Sequence, residues 1–309
     1  MLPVLFSPLQ GYTEYMYRRI HHDVVGGVDA YYAPFVRWEK GTLRNKDRRD
    51  VMRENNQSLP LVPQVIAGNV DELACLCDIL QNEGYEEINL NMGCPAPMQM
   101  KRHRGSALLT DADGLAALAK EMERRPDVKF SVKMRLGVDS AEDWRIILPI
   151  LNAMTLTRVI MHPRTASQQY AGDVDMNMFG SFCDQCVHPV VYNGDIMSPA
   201  DIASLEKRFP QLQGVMVGRG LLARPSMGAE YKSGEAWPEA ARLDVFRRLH
   251  EQMLAFNRNK FPNDSQLLVQ MHVFWEYQKA NLAKKQYKKV MKSGSLRNYL
   301  SAVDDIFSV

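Results

Sequence analysis

The chain has 309 residues and carries 38 Lys and Arg against 36 Asp and Glu, a net charge of +2. Hydrophobic residues make up 46% and charged residues 24%, which excludes a disordered chain, since those combine low hydrophobicity with high net charge. No apolar run approaches the roughly 18 residues of a membrane span, and five cysteines at uneven spacing argue against a disulfide framework.

The opening Met-Leu-Pro-Val-Leu-Phe lacks a basic segment and is too short for a signal peptide, so a reducing cytoplasm is expected. Strands are predicted at Val4–Ser7, Tyr31–Phe35, Leu61–Ile66, Glu87–Asn91, Phe130–Arg135, Arg158–His162, Pro189–Asn193 and Gly214–Val217. Their starts lie 27, 30, 26, 43, 28, 31 and 25 residues apart, the length of a βα unit. The stretches between them read as helices. Val70–Asn82 places Leu73, Leu76, Cys77 and Leu80 on one face, and Asp111–Arg124 and Ser198–Phe209 behave similarly. Ser198-Pro199 sets a capping residue before a proline at the first helical position. Eight alternating units predict an α/β fold, a closed (β/α)8 TIM barrel over residues 1–235.

Ser233-Gly234-Glu235-Ala236-Trp237-Pro238 reads as a linker. Residues 236–309 show helical periodicity only, through Leu243, Phe246, Leu249 and Leu254, then Leu267–Asn281, then Lys284–Met291. This is a C-terminal all-α helical domain, expected to pack on the barrel because so small a unit buries little surface alone. It holds 12 basic and 7 acidic residues, or +5, leaving −3 for the first 235. Lys279 to Arg297 holds seven basic residues and no acidic one. Such a block suits either a phosphate backbone or a solvated helix face.

Barrel enzymes carry their chemistry where strands run into the following loops. Here those ends read Pro8-Leu9-Gln10-Gly11, Phe35-Val36-Arg37, Gln64, Asn91-Met92-Gly93-Cys94-Pro95, Lys133-Met134-Arg135, His162-Pro163-Arg164-Thr165, Asn193-Gly194-Asp195 and Gly218-Arg219-Gly220. Phosphate sites are commonly built after strands seven and eight, so Asn193-Gly194-Asp195 and Gly218-Arg219-Gly220 predict a phosphorylated ligand. No Gly-x-Gly-x-x-Gly or Walker loop is present. Cys94, in a loop at the barrel mouth, is a candidate proton donor, because an unperturbed thiol stays protonated at neutral pH. Cys183 and Cys186 lack a second pair or His cluster, so no metal is expected.

Asn91-Met92-Gly93-Cys94-Pro95-Ala96, followed by Gly105-Ser106-Ala107-Leu108-Leu109, resembles the signature of the tRNA-dihydrouridine synthases. Ser7-Pro8-Leu9-Gln10-Gly11, Gln64, Lys133-Met134-Arg135-Leu136-Gly137, His162-Pro163-Arg164-Thr165, Asn193-Gly194-Asp195-Ile196 and Gly218-Arg219-Gly220 follow in the family's order. The resemblance spans about residues 3 to 225. It implies an FMN-dependent oxidoreductase that uses NADPH as transient reductant. The flavin would give hydride to C6 of a D-loop uridine in tRNA, and Cys94 would protonate C5 from the opposite face. The product is 5,6-dihydrouridine.

By this resemblance, Pro8, Leu9, Gln10, Gln64, Lys133 and His162 bind the flavin ring or lie near it. Asn193, Gly194, Asp195, Gly218 and Arg219 hold the ribityl chain and phosphate. Asn91, Arg135 and Tyr170 are candidates for holding the uracil, while Arg37 and Lys101 are candidates for contacting the RNA. Lys101-Arg102-His103-Arg104 would meet backbone phosphates, and the segments 37–53 and 279–297 would clamp the surrounding RNA. Leu9 stands where the family often has Met, and Pro97-Met98 where a Lys pair is frequent. Phe35-Val36-Arg37 is similar to the subgroup acting at position 16. A cytoplasmic monomer with tRNA as partner is expected. Two alternatives are an FMN barrel acting on a free small molecule, similar to dihydroorotate dehydrogenases, and a flavin-containing RNA-binding protein without turnover.

Overall fold

The computed structural model describes residues 1–308. Its main sheet is wholly parallel. We number the barrel strands β1 (Val4–Phe6), β2 (Ala30–Tyr32), β3 (Leu61–Val62 and Gln64–Val65), β4 (Glu87–Met92), β5 (Lys129–Gly137), β6 (Leu156–Thr165), β7 (Val190–Asn193) and β8 (Val215–Val217). β1 pairs with β8 and with β2, so the first and last strands meet. β3 closes the ring. Its first half pairs with β2 and its second half with β4. The halves flank Pro63, which has no N–H to donate, while its carbonyl accepts from the Asn89 N–H at 2.9 Å.

The eight predicted strands are all present. β5 and β6 are longer than the sequence suggests, because their ends stand above the barrel wall and pair only with each other. Their register shifts between Arg135 and Gly137, an irregularity of the kind that re-aims side chains beside a site. A two-stranded hairpin (Trp38–Glu39 with Thr42–Leu43) follows β2, outside the eight predicted strands. Helices alternate with the strands as expected. Val70–Asn82 is capped by the Asn69 side chain, and Pro199–Arg208 begins with a capping box of Ser198 and Asp201.

After Gly234 the chain is helical: Glu239–Lys260, Asp264–Trp275, a short 3-10 turn Glu276–Gln278, Lys284–Met291 and Leu296–Phe307. The predicted helix 267–281 therefore stops at Trp275, and the final helix, Leu296–Phe307, lies outside the predicted elements. Phe246, Leu267, Met271, Trp275, Tyr299 and Ile306 form their own core. Val245 and Leu249 pack on Ile20 of the first barrel helix, Tyr15–Val24. No described helix is long and apolar enough to cross a membrane.

That first helix is held by a buried polar knot. Arg18 is fully enclosed and donates to the Thr13 carbonyl at 2.7 Å, the Asp50 carbonyl at 2.6 Å, the Asp50 carboxylate at 3.2 Å and Asn56 at 3.0 Å. Removing one partner of a buried pair strands the other charge. Arg18→Met should therefore lower unfolding stability by about 3–5 kcal/mol, measured by urea denaturation. Adding Asp50→Asn should return part of that loss, and an Arg18→Met protein as stable as the parent would refute this account.

Candidate active site

The strand ends surround one cavity of about 340 Å³ at the mouth of the barrel, within the range of small-molecule and cofactor sites. It is lined by Pro8, Leu9, Gln10, Gln64, Asn91, Cys94, Lys133, Arg135, His162, Tyr170, Asn193, Gly194, Asp195, Gly218 and Arg219. Arg37 and Lys101 are not among the lining residues. Arg37 lies 3.6 Å from Asp47 and 3.7 Å from Glu39, and Lys101 is exposed at the end of the turn after Cys94. The neighbouring Arg104 is unavailable to RNA, contrary to the expectation for that loop. It is buried and bonded through Nε to Glu72 at 2.8 Å, so it fixes the loop from within.

Cys94 is set by its own turn. The Asn91 side-chain oxygen accepts from the N–H groups of Gly93 (3.1 Å) and Cys94 (2.9 Å). The Asn91 amide donates to Gln64 at 2.8 Å, Gln64 donates to Asn89 at 2.7 Å, and Asn89 donates to Ser131 at 3.0 Å. Asn91 thus orients the cysteine loop as well as lining the cavity. Asn89, which sequence reasoning missed, links that loop to the barrel interior. From the other side, the Ser106 hydroxyl and N–H both donate to the Cys94 carbonyl. Gly105, at φ +64°, permits this closure, since a Cβ there would sit 2.7 Å from the same carbonyl oxygen. Burial pushes the Cys94 thiol up, against the Ala96 N–H and the charges of Arg135 and Lys133.

The electrostatics are lopsided. Lys133, Arg135 and Arg219 face the cavity, and Asp195 is its sole lining carboxylate. Asp195 already accepts from Arg164, and from Arg219 at 2.7 Å. The hydrogen bonds from Arg164 hold its carboxyl below the usual range. Lys133 has no hydrogen-bond or ion-pair partner among the described residues, and burial, reinforced by Arg135, pulls its ammonium down to about 7. Burial, again with Arg135, holds His162 well below its ordinary value. His162 is therefore neutral. Its Nε2 accepts from Arg164 at 3.2 Å, which puts the imidazole proton on Nδ1.

Arg135 does structural work too. It donates to the carbonyls of Gly93 (3.0 Å), Thr165 (2.9 Å) and Gln169 (2.7 Å), fastening the loop that carries Tyr170 to the cysteine turn. The Tyr170 ring, half exposed, sits beneath the guanidiniums of Arg219 (4.4 Å) and Arg135 (5.6 Å). Asn193 donates to the Met216 carbonyl at 2.7 Å. At φ +152°, Gly194 would crowd any Cβ to 3.0 Å from Val174. Tyr12, Phe35 and Tyr277 also line the cavity. No local sequence signal marked Tyr277, which arrives from the helical tail.

A family model described as Dihydrouridine synthase (Dus) matches residues 5–306. A probable tRNA-dihydrouridine synthase of Rhodobacter capsulatus is 30% identical over 226 residues, covering 72% of this chain and 68% of the relative. A tRNA-dihydrouridine(20a/20b) synthase of Saccharomyces cerevisiae is 25% identical over 303 residues, covering 96% and 77%. Among solved structures, morphinone reductase superposes with a TM-score of 0.50 at 9% identity, covering 77% of this chain and 87% of that one. That likeness concerns the barrel fold alone.

Lys133 generates a pH test. Its folded value of about 7 lies below the usual 10.5, so between these limits the unfolded chain binds more protons. Stability should rise with pH across that window, and the cost of the buried charge is fully present below it. In thermal melts of ligand-free protein, Lys133→Met should raise the melting temperature at pH 6 and flatten the rise between pH 7 and 10. A variant less stable than the parent at pH 6 would contradict the partnerless ammonium.

Proposed function

The chain belongs to the dihydrouridine synthase family, and on that premise we propose that it reduces the C5–C6 bond of a D-loop uridine in tRNA to 5,6-dihydrouridine, with FMN bound in the cavity and NADPH as reductant. The observation that carries this reading is the placing of the half-buried Cys94 thiol, its pKa raised, in the wall of a cavity with surplus positive charge. The residues present suit a flavin mononucleotide. The volume is adequate, Lys133 lacks an anionic partner, and Gly194 and Gly218, where a side chain would be crowded, line the cavity together with Arg219. When bound, FMN would supply the electron chemistry, accepting hydride from NADPH and donating it to the uracil C6.

This chain's own residues do the rest. Pro8, Leu9 and Gln10 would wall the flavin ring. Gln64 and Lys133 would bond its polar edge, where Lys133 would stabilise negative charge, and His162 would offer Nδ1–H. Asn193, Gly194, Gly218 and Arg219 would receive the ribityl chain and phosphate. Asp195 acts through Arg219 and through its backbone, since its carboxylate is already bonded to two guanidiniums. Cys94 gives its proton to C5, and burial keeps that proton in place until it is needed. Asn91, Arg135 and Tyr170 border the space left for the uracil.

In this proposal residues 1–235 carry the cofactor and the chemistry, residues 236–309 hold the tRNA, and the protein works as a cytoplasmic monomer. Of the seven cations between Lys279 and Arg297, Lys289 alone forms an ion pair, with Asp305, among the described residues. The Tyr287 hydroxyl reaches the Glu276 carbonyl at 3.4 Å, which ties the helix Lys284–Met291 to the residue before the cavity-lining Tyr277. A target uridine must be extruded to reach Cys94, and the unpaired cations of this helix suit the flanking backbone.

Purified protein should show flavin absorption, and RNA from cells lacking the gene should lose one D-loop dihydrouridine. Flavin with an unchanged map would favour a small-molecule reductase instead. Cys94→Ala should leave flavin reduction by NADPH intact while dihydrouridine formation falls about 10²- to 10⁴-fold, read by stopped-flow absorbance and nucleoside mass spectrometry. Full product formation by that variant would remove Cys94 from the chemistry. Replacing Lys284, Lys285 and Lys288 by Glu should weaken tRNA binding and flatten its salt dependence. An unaltered salt slope would remove that helix from the RNA contact.

A further inference from the structure

Among the residues lining the catalytic cavity, Tyr277 alone comes from beyond residue 235. Its position is fixed from several sides. Its ring meets Tyr12 edge-on at 5.0 Å between centroids, and the Tyr12 hydroxyl donates to the Glu276 carboxylate at 2.7 Å. Gln278 donates to the Leu222 carbonyl at 2.8 Å in a buried bond, and Asn281 donates to the Ala223 carbonyl at 2.7 Å. Leu222 and Ala223 end the short helix Arg219–Ala223, whose first residue faces the cavity. The same segment that docks the tail therefore holds an aromatic ring at the cavity rim.

We propose that Tyr277 is a substrate-binding residue, giving a stacking face to the nucleobase that adjoins the extruded uridine. This rests on the reading that the substrate is a folded RNA. Extrusion breaks the stacking of the target's neighbours, and an aromatic ring replaces it without regard to base identity. Tyr277 suits this task because its ring is half-buried and open to the cavity, and its flanking residues are anchored, so little freedom is lost on binding. A tyrosine serving only to pack the tail would be enclosed like Tyr299, which is fully buried among His250 and Trp275. The tail thereby contributes to the substrate site itself as well as to the outer grip on the RNA.

The test compares Tyr277→Phe, which keeps the aromatic face, with Tyr277→Leu, which keeps apolar bulk without it, in the full-length FMN-loaded enzyme. Tyr277→Leu should lower kcat/KM for tRNA by roughly 10- to 100-fold, mostly through KM, because stacking is formed in both ground and transition states. Tyr277→Phe should stay within about twofold of the parent. The rate of flavin reduction by NADPH without RNA should be the same in all three. Parent-like tRNA kinetics in Tyr277→Leu would overturn the proposal, as would an equal slowing of flavin reduction, which would place the ring against the reductant. A parent enzyme that forms no dihydrouridine would overturn the RNA reading and this inference together. Turnover by the parent with an indifferent Leu variant overturns this inference alone.

Discussion

Closure of the parallel ring is the constraint on which the rest of the molecule depends. Parallel strands all end on the same face, so a closed ring brings eight strand ends to one mouth whatever their separation in the chain. Closure here turns on β3, whose two halves serve different neighbours on either side of Pro63. A proline inside a central strand would normally leave a ladder position empty. At this joint the missing N–H falls where the pairing changes hands, and the proline carbonyl still accepts from Asn89. Gln64, immediately after the joint, then faces Asn89 and Asn91 and connects the ring closure to the cysteine turn.

The second organising feature is charge held without enough counter-charge. Lys133, Arg135 and Arg219 share a cavity with one carboxylate, which is itself bonded to Arg164 and Arg219. Arg135 and Arg219 are tolerable because carbonyls, Asp195 and the Tyr170 ring surround their guanidiniums. Lys133 has no such compensation and responds by losing affinity for its proton. An anion entering the cavity would reverse that loss, and the binding and protonation of Lys133 would then favour each other.

Much of this was legible in the sequence because buried parallel strands are short apolar runs bounded by turn residues, and their spacing counts the units. The strand ends named one cavity, because side chains there share a structural position. What escaped was whatever depends on contact between distant segments. Arg37 looked available, but in the fold it lies beside Asp47 and Glu39. Arg104 looked like part of a basic loop, and it is buried against Glu72. Asn91 and Arg135 read as groups facing the ligand, and both also hold backbone together at the mouth. The end of the helix at Trp275 was hidden too, because the next residues keep an apolar rhythm while docking on Leu222 and Ala223.

These placements bear on how a thiol stays protonated among cations. The Ala96 N–H, Arg135 and Lys133 all favour the thiolate, and so pull against the proton Cys94 is proposed to give. Burial opposes them and prevails, and that burial is maintained by the Asn91 and Ser106 bonds that fold the turn inward. An anionic ligand beside Lys133 would weaken the cationic pull further, so the proton is held more firmly once the cavity is filled. The polar network around Asn91 thus acts on the chemistry through solvent exclusion, and loosening it would bring the thiol back down toward its ordinary range as well as displace it.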